Sequence, residues 1–449
     1  MPVYEHQTTR ALQAVLLPDP LISEATRDAS HGSTFLTQRG PLPGVAVYQT
    51  GQIGVTSTTA GDLGPTLRLL AMGAQDDNTV ETAVVRAGMP GDGCEIATQV
   101  RDEDAEGQIW RGWSTPNVLE GLATAELDKG LDGVRNVDGV RLSDGRALLV
   151  WHNSGIISCR IFDPSTADWS AAAVVVADHT RAMDADGAMP TAAAITTGSP
   201  VCVERLPSGR LLVAVLVEGP AAAADADLAI HYSDDDGATW IASTLQGYDV
   251  PLPAGADYDC IEMAQSGDQI LLLVAVTWTD EQQAAWHGWV QYASDDVGAS
   301  FRLVQDWNDG ASTERVGRPT IVVDLAGTFH VLHHLYNSGI TTSTPQVRSV
   351  SSPWEPLREV TATQVSGGIA LSTTDCIGWA ESSGMLWAAW EDAEAVRLAR
   401  SVDLGQTWVL LDTSLTTTAG LSWSRLLAVP CGAGVLWLLS GSGLTRPAQ

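Results

Sequence analysis

The chain has 449 residues, of which 45% are hydrophobic, and its 54 acidic and 24 basic residues give a formal net charge of −30 at pH 7. The apolar content excludes a disordered chain, and the 43 glycines and 21 prolines are typical of a turn-rich all-β protein. So acidic a surface repels nucleic acids and anionic membranes, and the sequence contains no run of about 18 apolar residues. We therefore expect neither nucleic-acid binding nor membrane insertion.

The first 90 residues carry strand-like segments but no repeat. Predicted strands lie at residues 45–48, 53–57, 67–72 and 82–85. We predict residues 1–90 as an N-terminal extension that docks on other chains of an assembly, and residues 91–449 as a separate repeat domain. The chain does not open with a basic segment followed by an apolar one, so no secretory signal is predicted.

From residue 91 onwards a β-hairpin recurs, with an apolar strand on either side of a glycine turn. The turn glycines are Gly145, Gly209, Gly267, Gly327, Gly384 and Gly434. Their spacing of roughly sixty residues is typical of a β-propeller, in which sheets repeat about an axis. These hairpins predict an all-β fold, a six-bladed β-propeller of four-stranded antiparallel blades. The strands predicted before residue 90 would allow a seventh blade as the alternative.

A second turn follows several of the hairpins and has the pattern Ser-x-Asp-x-Gly-x-Thr-Trp. Its clear copies are Ser233, Asp235, Gly237, Thr239 and Trp240, then Ser294, Asp296, Gly298 and Phe301, then Ser401, Asp403, Gly405, Thr407 and Trp408. We expect the Asp carboxylate to accept hydrogen bonds from the Ser or Thr hydroxyl and from N–H groups two or three residues on. The glycine supplies a positive φ. An Asp236→Ala substitution is expected to cost about 1–2 kcal/mol.

Weaker copies of the same turn lie at residues 101–110, 163–169 and 351–354. The last hairpin has no second turn after it, whereas the copy at 101–110 has no hairpin of this kind before it. We therefore predict that N-terminal strands pair with C-terminal ones and so close the propeller.

The Ser-x-Asp-x-Gly-x-Thr-Trp turns resemble the Asp boxes of the sialidase superfamily, and the resemblance extends over roughly residues 95–445. It implies a propeller in which each such turn joins the third and fourth strands of a blade, on the rim away from the active site. For a sialidase it also implies three arginines, an Asp acid and a Tyr nucleophile activated by Glu. This chain departs from that set, because it has no Phe-Arg-Ile-Pro-like stretch before residue 138. Residues 421–425 read Leu-Ser-Trp-Ser-Arg where a Tyr is expected.

The starts of the innermost strands are predicted to line an axial funnel, where propellers usually bind ligands. The candidates for catalysis there are Asp138, Glu204, Tyr258, Asp259, Glu262 and Asp375. The candidates for ligand binding are Arg205, Arg318, Arg425, Trp278, Trp286 and Trp289. Two neighbouring carboxyls would serve glycoside hydrolysis. The alternative is that the carboxyls pair with the arginines and that the tryptophans pack in the core.

Neither a metal nor a cofactor is predicted for this chain. Cys202 and Cys260 take the same place in their hairpins as Asp138. Close packing about the axis requires small side chains there, so we expect buried, reduced thiols. In a strand His330 and His334 face away from His333, which disfavours a metal site in that group.

The sequence favours a non-catalytic sialidase-like propeller that serves as a structural or binding module in a larger assembly. A bacteriophage virion protein of the tail, nozzle or receptor-binding part fits this expectation. Its partners would be other protein chains, through residues 1–90, together with a glycan ligand, and its location would be the virion or else the cytoplasm. The alternative is a glycoside hydrolase that acts on cell-surface polysaccharide, with the funnel carboxyls as acid and base.

Overall fold

The computed structural model divides the chain into two compact units. Unit 1 is Met1–Thr124, Lys129–Val134 and Ile369–Gln449, and unit 2 is Ala125–Asp128 and Arg135–Gly368. The structure describes residues 33–37, 45–50, 66–74, 80–87, 94–101, 117–118, 137–144, 146–153, 156–163, 168–170, 174–178, 201–218, 226–246, 257–279, 285–306, 315–317, 319–336, 342–367, 369–370, 377–380, 385–392, 395–411, 423–431 and 435–442. The boundary predicted at residue 90 does not separate the units, because the residues on both sides of it belong to unit 1.

The described part of unit 2 contains four sheets, which we number 3 to 6 along the chain. Sheet 3 consists of β7 (Val137–Arg141), β8 (Ala147–Asn153), β9 (Ile156–Asp163), β10 (Asp168–Trp169) and β11 (Val174–Asp178). Sheet 4 consists of β12 (Val201–Arg205), β13 (Leu211–Glu218), β14 (Ala226–Ser233) and β15 (Ile241–Ala242). Sheet 5 consists of β16 (Thr244–Gln246), β17 (Asp257–Ser266), β18 (Gln269–Thr279), β19 (Ala285–Ser294) and β20 (Ser300–Asp306). Sheet 6 consists of β21 (Arg315–Val316), β22 (Thr320–Val323), β23 (Phe329–Tyr336), β24 (Thr342–Val350) and β25 (Thr363–Gln364).

Neighbouring strands of these sheets are antiparallel and follow the order of the chain, with three departures. In sheet 6, β21 and β22 both pair with β23. In sheet 3, β11 also pairs with β9. In sheet 5, β16 runs parallel to the outer strand β20, so that the segment leaving sheet 4 adds a fifth strand to the next sheet. A short 3-10 helix, Leu357–Glu359, lies between β24 and β25.

The described part of unit 1 contains three sheets. Sheet 1 has the order β1 (Ser33–Thr37), β2 (Val45–Thr50), β32 (Val435–Ser442) and β31 (Trp423–Cys431). Sheet 2 consists of β3 (Thr66–Ala74), β4 (Val80–Ala87), β5 (Cys94–Arg101) and β6 (Asn117–Val118). Sheet 7 consists of β27 (Ile377–Ala380), β28 (Leu386–Asp392), β29 (Ala395–Ser401) and β30 (Val409–Leu411). The short strand β26 (Ile369–Ala370) is not one of its strands. In sheet 1 the N-terminal strand β2 pairs with the C-terminal strand β32, in parallel.

Sheets 3, 4 and 5 pack face to face through apolar side chains. Successive residues of a strand point to opposite faces of the sheet. On β12, Val201 and Val203 enter the core shared with sheet 3, whereas Cys202 enters the core shared with sheet 5. Because both faces are covered, the second strands are continuous apolar runs, as at residues 211–215, rather than alternating ones.

Within each unit, one edge strand of each sheet lies beside an edge strand of the next sheet. In unit 2 the sequence of neighbours is β7, β12, β17 and β22, and in unit 1 it is β27, β31 and β3. Consecutive propeller blades have this arrangement, in which innermost strands adjoin and the later strands of each sheet lie further out.

The sequence identified the all-β class and every hairpin of the repeat. The predicted hairpins correspond to the antiparallel pairs β7–β8, β12–β13, β17–β18, β22–β23, β27–β28 and β31–β32. The number of blades stays a prediction. The described residues contain no helix that is long and apolar enough to cross a membrane.

The turn predicted at residues 101–110 lies, beyond Arg101, outside the described residues. Along the chain it falls between β5 and β6 of sheet 2, which has first and second strands of its own, β3 and β4, from the predicted extension. The last hairpin is completed by β1 and β2 instead. The strand predicted at residues 53–57 lies outside the described residues.

Candidate functional site

Each clear Ser-x-Asp-x-Gly-x-Thr-Trp turn joins the third and fourth strands of its sheet and is closed by the Asp side chain. In sheet 4 the Ser233 hydroxyl donates to Asp235 Oδ1 at 2.8 Å. The Thr239 N–H donates to the same oxygen at 2.8 Å, and the Thr239 hydroxyl donates to Asp235 Oδ2 at 2.6 Å. A backbone donor thus lies four residues on, and the N–H of Ala238, three residues on as predicted, also lowers the pKa of Asp235. The same bonds form around Asp296 in sheet 5 and Asp403 in sheet 7.

Two consecutive residues of each turn, not the glycine alone, have a positive φ. Gly237 has a φ of 86°, and the residue before it, Asp236, has a φ of 56°. Val297 and Leu404 take the same place in the other turns, each with a φ of 57°. Asp236 is thus a bend residue, and the carboxylate that holds the turn is that of Asp235. The expectation for Asp236→Ala was attached to the wrong residue.

The aromatic residue that closes the turn is held by the turn itself. Trp240 Nε1 donates to the carbonyl of Gly237 at 3.0 Å, and Trp408 Nε1 donates to that of Gly405 at 3.1 Å. The hydrogen bonds from Thr239 keep the pKa of Asp235 below its usual value, so the carboxylate is ionised and occupied. These turns are structural staples and have no free reactive group.

At the inner edge of sheet 4, a carboxylate from the neighbouring sheet binds the backbone. Asp138 on β7 accepts a hydrogen bond at Oδ2 from the N–H of Val203 on β12, at 3.0 Å. An edge strand leaves such N–H groups without a ladder partner. The side chain of Asp138 therefore bridges two sheets next to Glu204.

Glu204 is a carboxyl group at the interface between sheets 4 and 5. It shares its face of β12 with Cys202 and Leu206, both in the apolar core between these sheets, and is itself half-buried. Burial raises the pKa of Glu204 to about 8, and the nearby carboxylate of Asp138 adds to the shift. At neutral pH this group therefore carries a proton that it can donate.

A third carboxyl group, that of Glu262, lies on β17 of sheet 5, on the same face as Cys260 and Ala264, which pack toward sheet 6. Burial raises the pKa of the Cys202 thiol well above its usual value, and Asp138, Glu262 and Glu204 each raise it further. All three carboxyls are thus within electrostatic range of one thiol. Arg205, the next residue on β12, points to the opposite face from Glu204. Its Nε is buried and has no hydrogen-bond partner among the described residues.

Of the candidates proposed for the funnel, the structure places Asp138 and Glu204 on the adjoining strands β7 and β12, and Glu262 on the next strand, β17. We expected these side chains to point straight into a channel. Instead, the sheets stack face to face, and the side chains of a strand alternate between the two neighbouring sheets. Of Tyr258, Asp259, Trp278, Trp286 and Arg425 the structure describes the backbone, in β17, β18, β19 and β31. Arg318 and Asp375 lie outside the described residues.

Trp289 belongs to the core and not to an exposed sugar-binding surface. Only 1% of it is exposed, and its Nε1 donates to the Gly317 carbonyl at 2.9 Å. The imidazole of His333 packs edge-on against its ring, with 4.8 Å between centroids. A face that is covered in this way cannot stack on a ligand, so the prediction for Trp289 was wrong.

The histidines of β23 are buried in two different environments. His330 Nε2 lies 3.0 Å from Asp324 Oδ2, and Nδ1 lies 2.8 Å from the hydroxyl of Ser349. His333 is fully buried, and burial, with Arg348 nearby, lowers its pKa to about 3. The described residues contain no group of three or more metal-ligating side chains suited to a metal ion. The Asp324–His330–Ser349 contacts were not foreseen, because they join residues of two strands.

No protein-family model matches the sequence, and no curated protein is significantly similar to it. Among solved structures the chain is similar to an ulvan lyase, a polysaccharide lyase bound to -[GlcA(1-4)Rha3S]-, with 10% identity and a TM-score of 0.51 over 82% of this chain and 88% of the lyase. Two further similar structures are a mutant α-L-arabinofuranosidase from Fusarium graminearum and a Hadza microbial sialidase. For the arabinofuranosidase the identity is 13% and the TM-score 0.46, over 70% of this chain and 89% of the enzyme. For the sialidase the identity is 13% and the TM-score 0.38, over 78% of this chain and 74% of the enzyme.

These similar structures are glycan-active enzymes of the β-propeller type. At 10% identity, the similarity to the ulvan lyase establishes the fold of this chain and not its activity.

Proposed function

We propose that the chain is a glycan-cleaving β-propeller enzyme, a glycoside hydrolase in which Glu204 is the general acid. The observation that carries the proposal is the pair formed by Glu204 and Asp138. The carboxyl of Glu204 is protonated at neutral pH because it is half-buried in an apolar interface, with the Asp138 carboxylate near it. A protonated carboxyl that can donate its proton, with a second carboxyl near it, is the usual arrangement for acid–base cleavage of a glycosidic bond.

The proposed reaction assigns a separate role to each carboxyl. Glu204 donates its proton to the glycosidic oxygen as the bond from that oxygen to the anomeric carbon breaks. A water molecule supplies the hydroxyl group to the anomeric carbon, and its remaining proton passes to the Glu204 carboxylate, which restores the acid. Asp138, held by the Val203 N–H, presents negative charge to the sugar ring as positive charge develops on it. The ulvan lyase with which the chain shares its fold also acts on a polysaccharide, which is consistent with the proposal.

A panel of fluorogenic glycosides tests the proposed function. We expect the wild-type chain to release the fluorophore from at least one glycoside. The Glu204→Gln variant should lose this activity by roughly a hundredfold or more, the usual contribution of a general acid. The matched control is Glu359→Gln at an exposed residue of the 3-10 helix, which should keep the activity. Binding of glycans without any turnover would instead favour the non-catalytic binding module that the sequence suggests.

A further inference from the structure

A serine, a histidine and an aspartate of sheet 6 are joined by hydrogen bonds in one series. His330 on β23 lies directly opposite Ser349 on β24 in the antiparallel pairing, so the two side chains share one face of the sheet. His330 Nδ1 lies 2.8 Å from the hydroxyl of Ser349, and Nε2 lies 3.0 Å from Asp324 Oδ2. A hydroxyl, an imidazole and a carboxylate linked in this order are the constituents of a catalytic triad with a serine nucleophile.

The turn between β22 and β23 holds Asp324 in place. Its Oδ1 accepts hydrogen bonds from the N–H groups of Ala326 and Thr328, both at 2.9 Å, which leaves Oδ2 for the imidazole. Burial alone would raise the pKa of Asp324, but the hydrogen bonds from His330 and Thr328 outweigh it, and the pKa lies below its usual value. The carboxylate is therefore ionised at neutral pH and can only accept, so the proton between the two side chains belongs to His330 Nε2.

This tautomer gives His330 Nδ1 a lone pair that faces the hydroxyl of Ser349. The usual triad presents Nε2 to the serine, but either nitrogen of a neutral imidazole serves as the base when the other donates to a carboxylate. His330 is 1% exposed and Asp324 is 5% exposed, whereas Ser349 is half-buried. The base and the carboxylate are thus shielded from water, and Ser349 is the member of the series that solvent reaches.

We infer that Ser349 is a nucleophile, with His330 as its general base and Asp324 as the group that orients the imidazole, and that it takes a small acyl group from an activated ester. The acyl group is small because Ser349 is only partly exposed. The ester is an activated one because a positioned base supplies about 10²–10⁴-fold of rate, which suits a good leaving group such as a phenol. The site shares no residue with the proposed glycan-cleaving pair, so it is a second activity that stands or fails independently of the first.

The proposed acyl transfer has two steps. Ser349 Oγ attacks the carbonyl carbon of the ester, and its proton passes to His330 Nδ1. The bond from that carbon to the leaving oxygen breaks, and the leaving alcohol takes the proton from Nδ1. Water then attacks the acyl-serine and gives a proton to Nδ1, and the Ser349 oxygen takes this proton back as the carboxylic acid leaves.

A fluorophosphonate, which forms a covalent bond with activated serines, tests the site directly. We expect the folded wild type to be labelled at Ser349, located by mass spectrometry of its peptides, and the urea-unfolded chain to remain unlabelled there. His330→Gln should slow this labelling by about a hundredfold or more. The matched control is Ser352→Ala, which changes another half-buried serine, one whose hydroxyl accepts a hydrogen bond from the Trp354 N–H. It should be labelled at Ser349 as fast as the wild type.

Hydrolysis of p-nitrophenyl acetate provides a second readout. The wild type should form an acetyl-serine at position 349, and Ser349→Ala should form none there. Circular dichroism shows whether His330→Gln retains the fold, and if it does not, the comparison of the native with the urea-unfolded wild type decides. Labelling of the wild type only at other residues would overturn the inference. Labelling of Ser349 that persists in urea, or is equally fast in a folded His330→Gln variant, would also overturn it, and the contacts would then only tie the turn to β24.

Discussion

The carboxylate of Asp138 on β7 accepts a hydrogen bond of 3.0 Å from the backbone N–H of Val203 on β12. The bond fixes the side chain of one sheet on the inner edge of the next, at the residue that precedes Glu204. This fixed carboxylate raises the pKa of Glu204 in addition to burial. A contact that helps to join two sheets therefore also sets the protonation state of the proposed acid.

The first expectation concerns the staple in the turn after β14. Asp235→Ala removes the acceptor of the hydrogen bonds from Ser233 and Thr239. We expect the free energy of unfolding to fall by about 1–2 kcal/mol, measured by urea denaturation, with little change in any glycan activity. Asp236→Asn is the matched control, because this side chain accepts none of those bonds and Asn tolerates a positive φ. A larger loss in the control than in Asp235→Ala would contradict the assignment.

A second expectation concerns the positive φ of 57° at Leu404. A leucine in this left-handed conformation is strained, and its side chain here is 44% exposed. Leu404→Asn should therefore raise the free energy of unfolding by about 0.5–1 kcal/mol, which thermal or urea denaturation would detect. Val297 has the same φ but packs against the core between sheets 4 and 5, so Val297→Asn should not stabilise the protein. Stabilisation by both changes, or by neither, would show that strain is not the controlling factor.

A third expectation follows from the raised pKa of Glu204. Its folded-state pKa is about 8 against an ordinary value of 4.5, so the folded protein binds the proton more tightly than the unfolded chain does. The resulting stability is complete below pH 4.5 and is lost as the pH rises to 8. Because the group is half-buried, we expect the free energy of unfolding of the wild type, relative to that of Glu204→Gln, to fall by on the order of 2 kcal/mol across this pH window. A difference between the two proteins that does not change with pH would contradict the raised pKa.

Local patterns were sufficient to predict the hairpins and the second turns. Gly209 and Gly267 stand between apolar strands, and the structure gives both a positive φ. The Ser-x-Asp-x-Gly spacing likewise closes a turn within one short segment. The pattern did not predict the second residue with a positive φ. Val and Leu rarely adopt this conformation, so Val297 and Leu404 gave no indication of it.

The candidate site was harder to predict because it depends on how the sheets stack. The sequence names Asp138 and Glu204 among the funnel candidates. The sequence does not show that Asp138 faces the edge of β12, or that Glu204 enters an apolar interface. The burial of Trp289 was missed for the same reason, since its partners Gly317 and His333 come from another sheet.

The pH dependence of kcat/KM for a glycoside that the wild type cleaves is the most direct test of Glu204 as the proton donor. A general acid must be protonated to act, so activity should fall on the alkaline side with an apparent pKa of about 8. Glu204→Gln should lose roughly a hundredfold or more of the activity at neutral pH, together with this alkaline limb. A Glu204→Gln variant with wild-type kcat/KM and an unchanged alkaline limb would contradict the assignment of Glu204 as the acid.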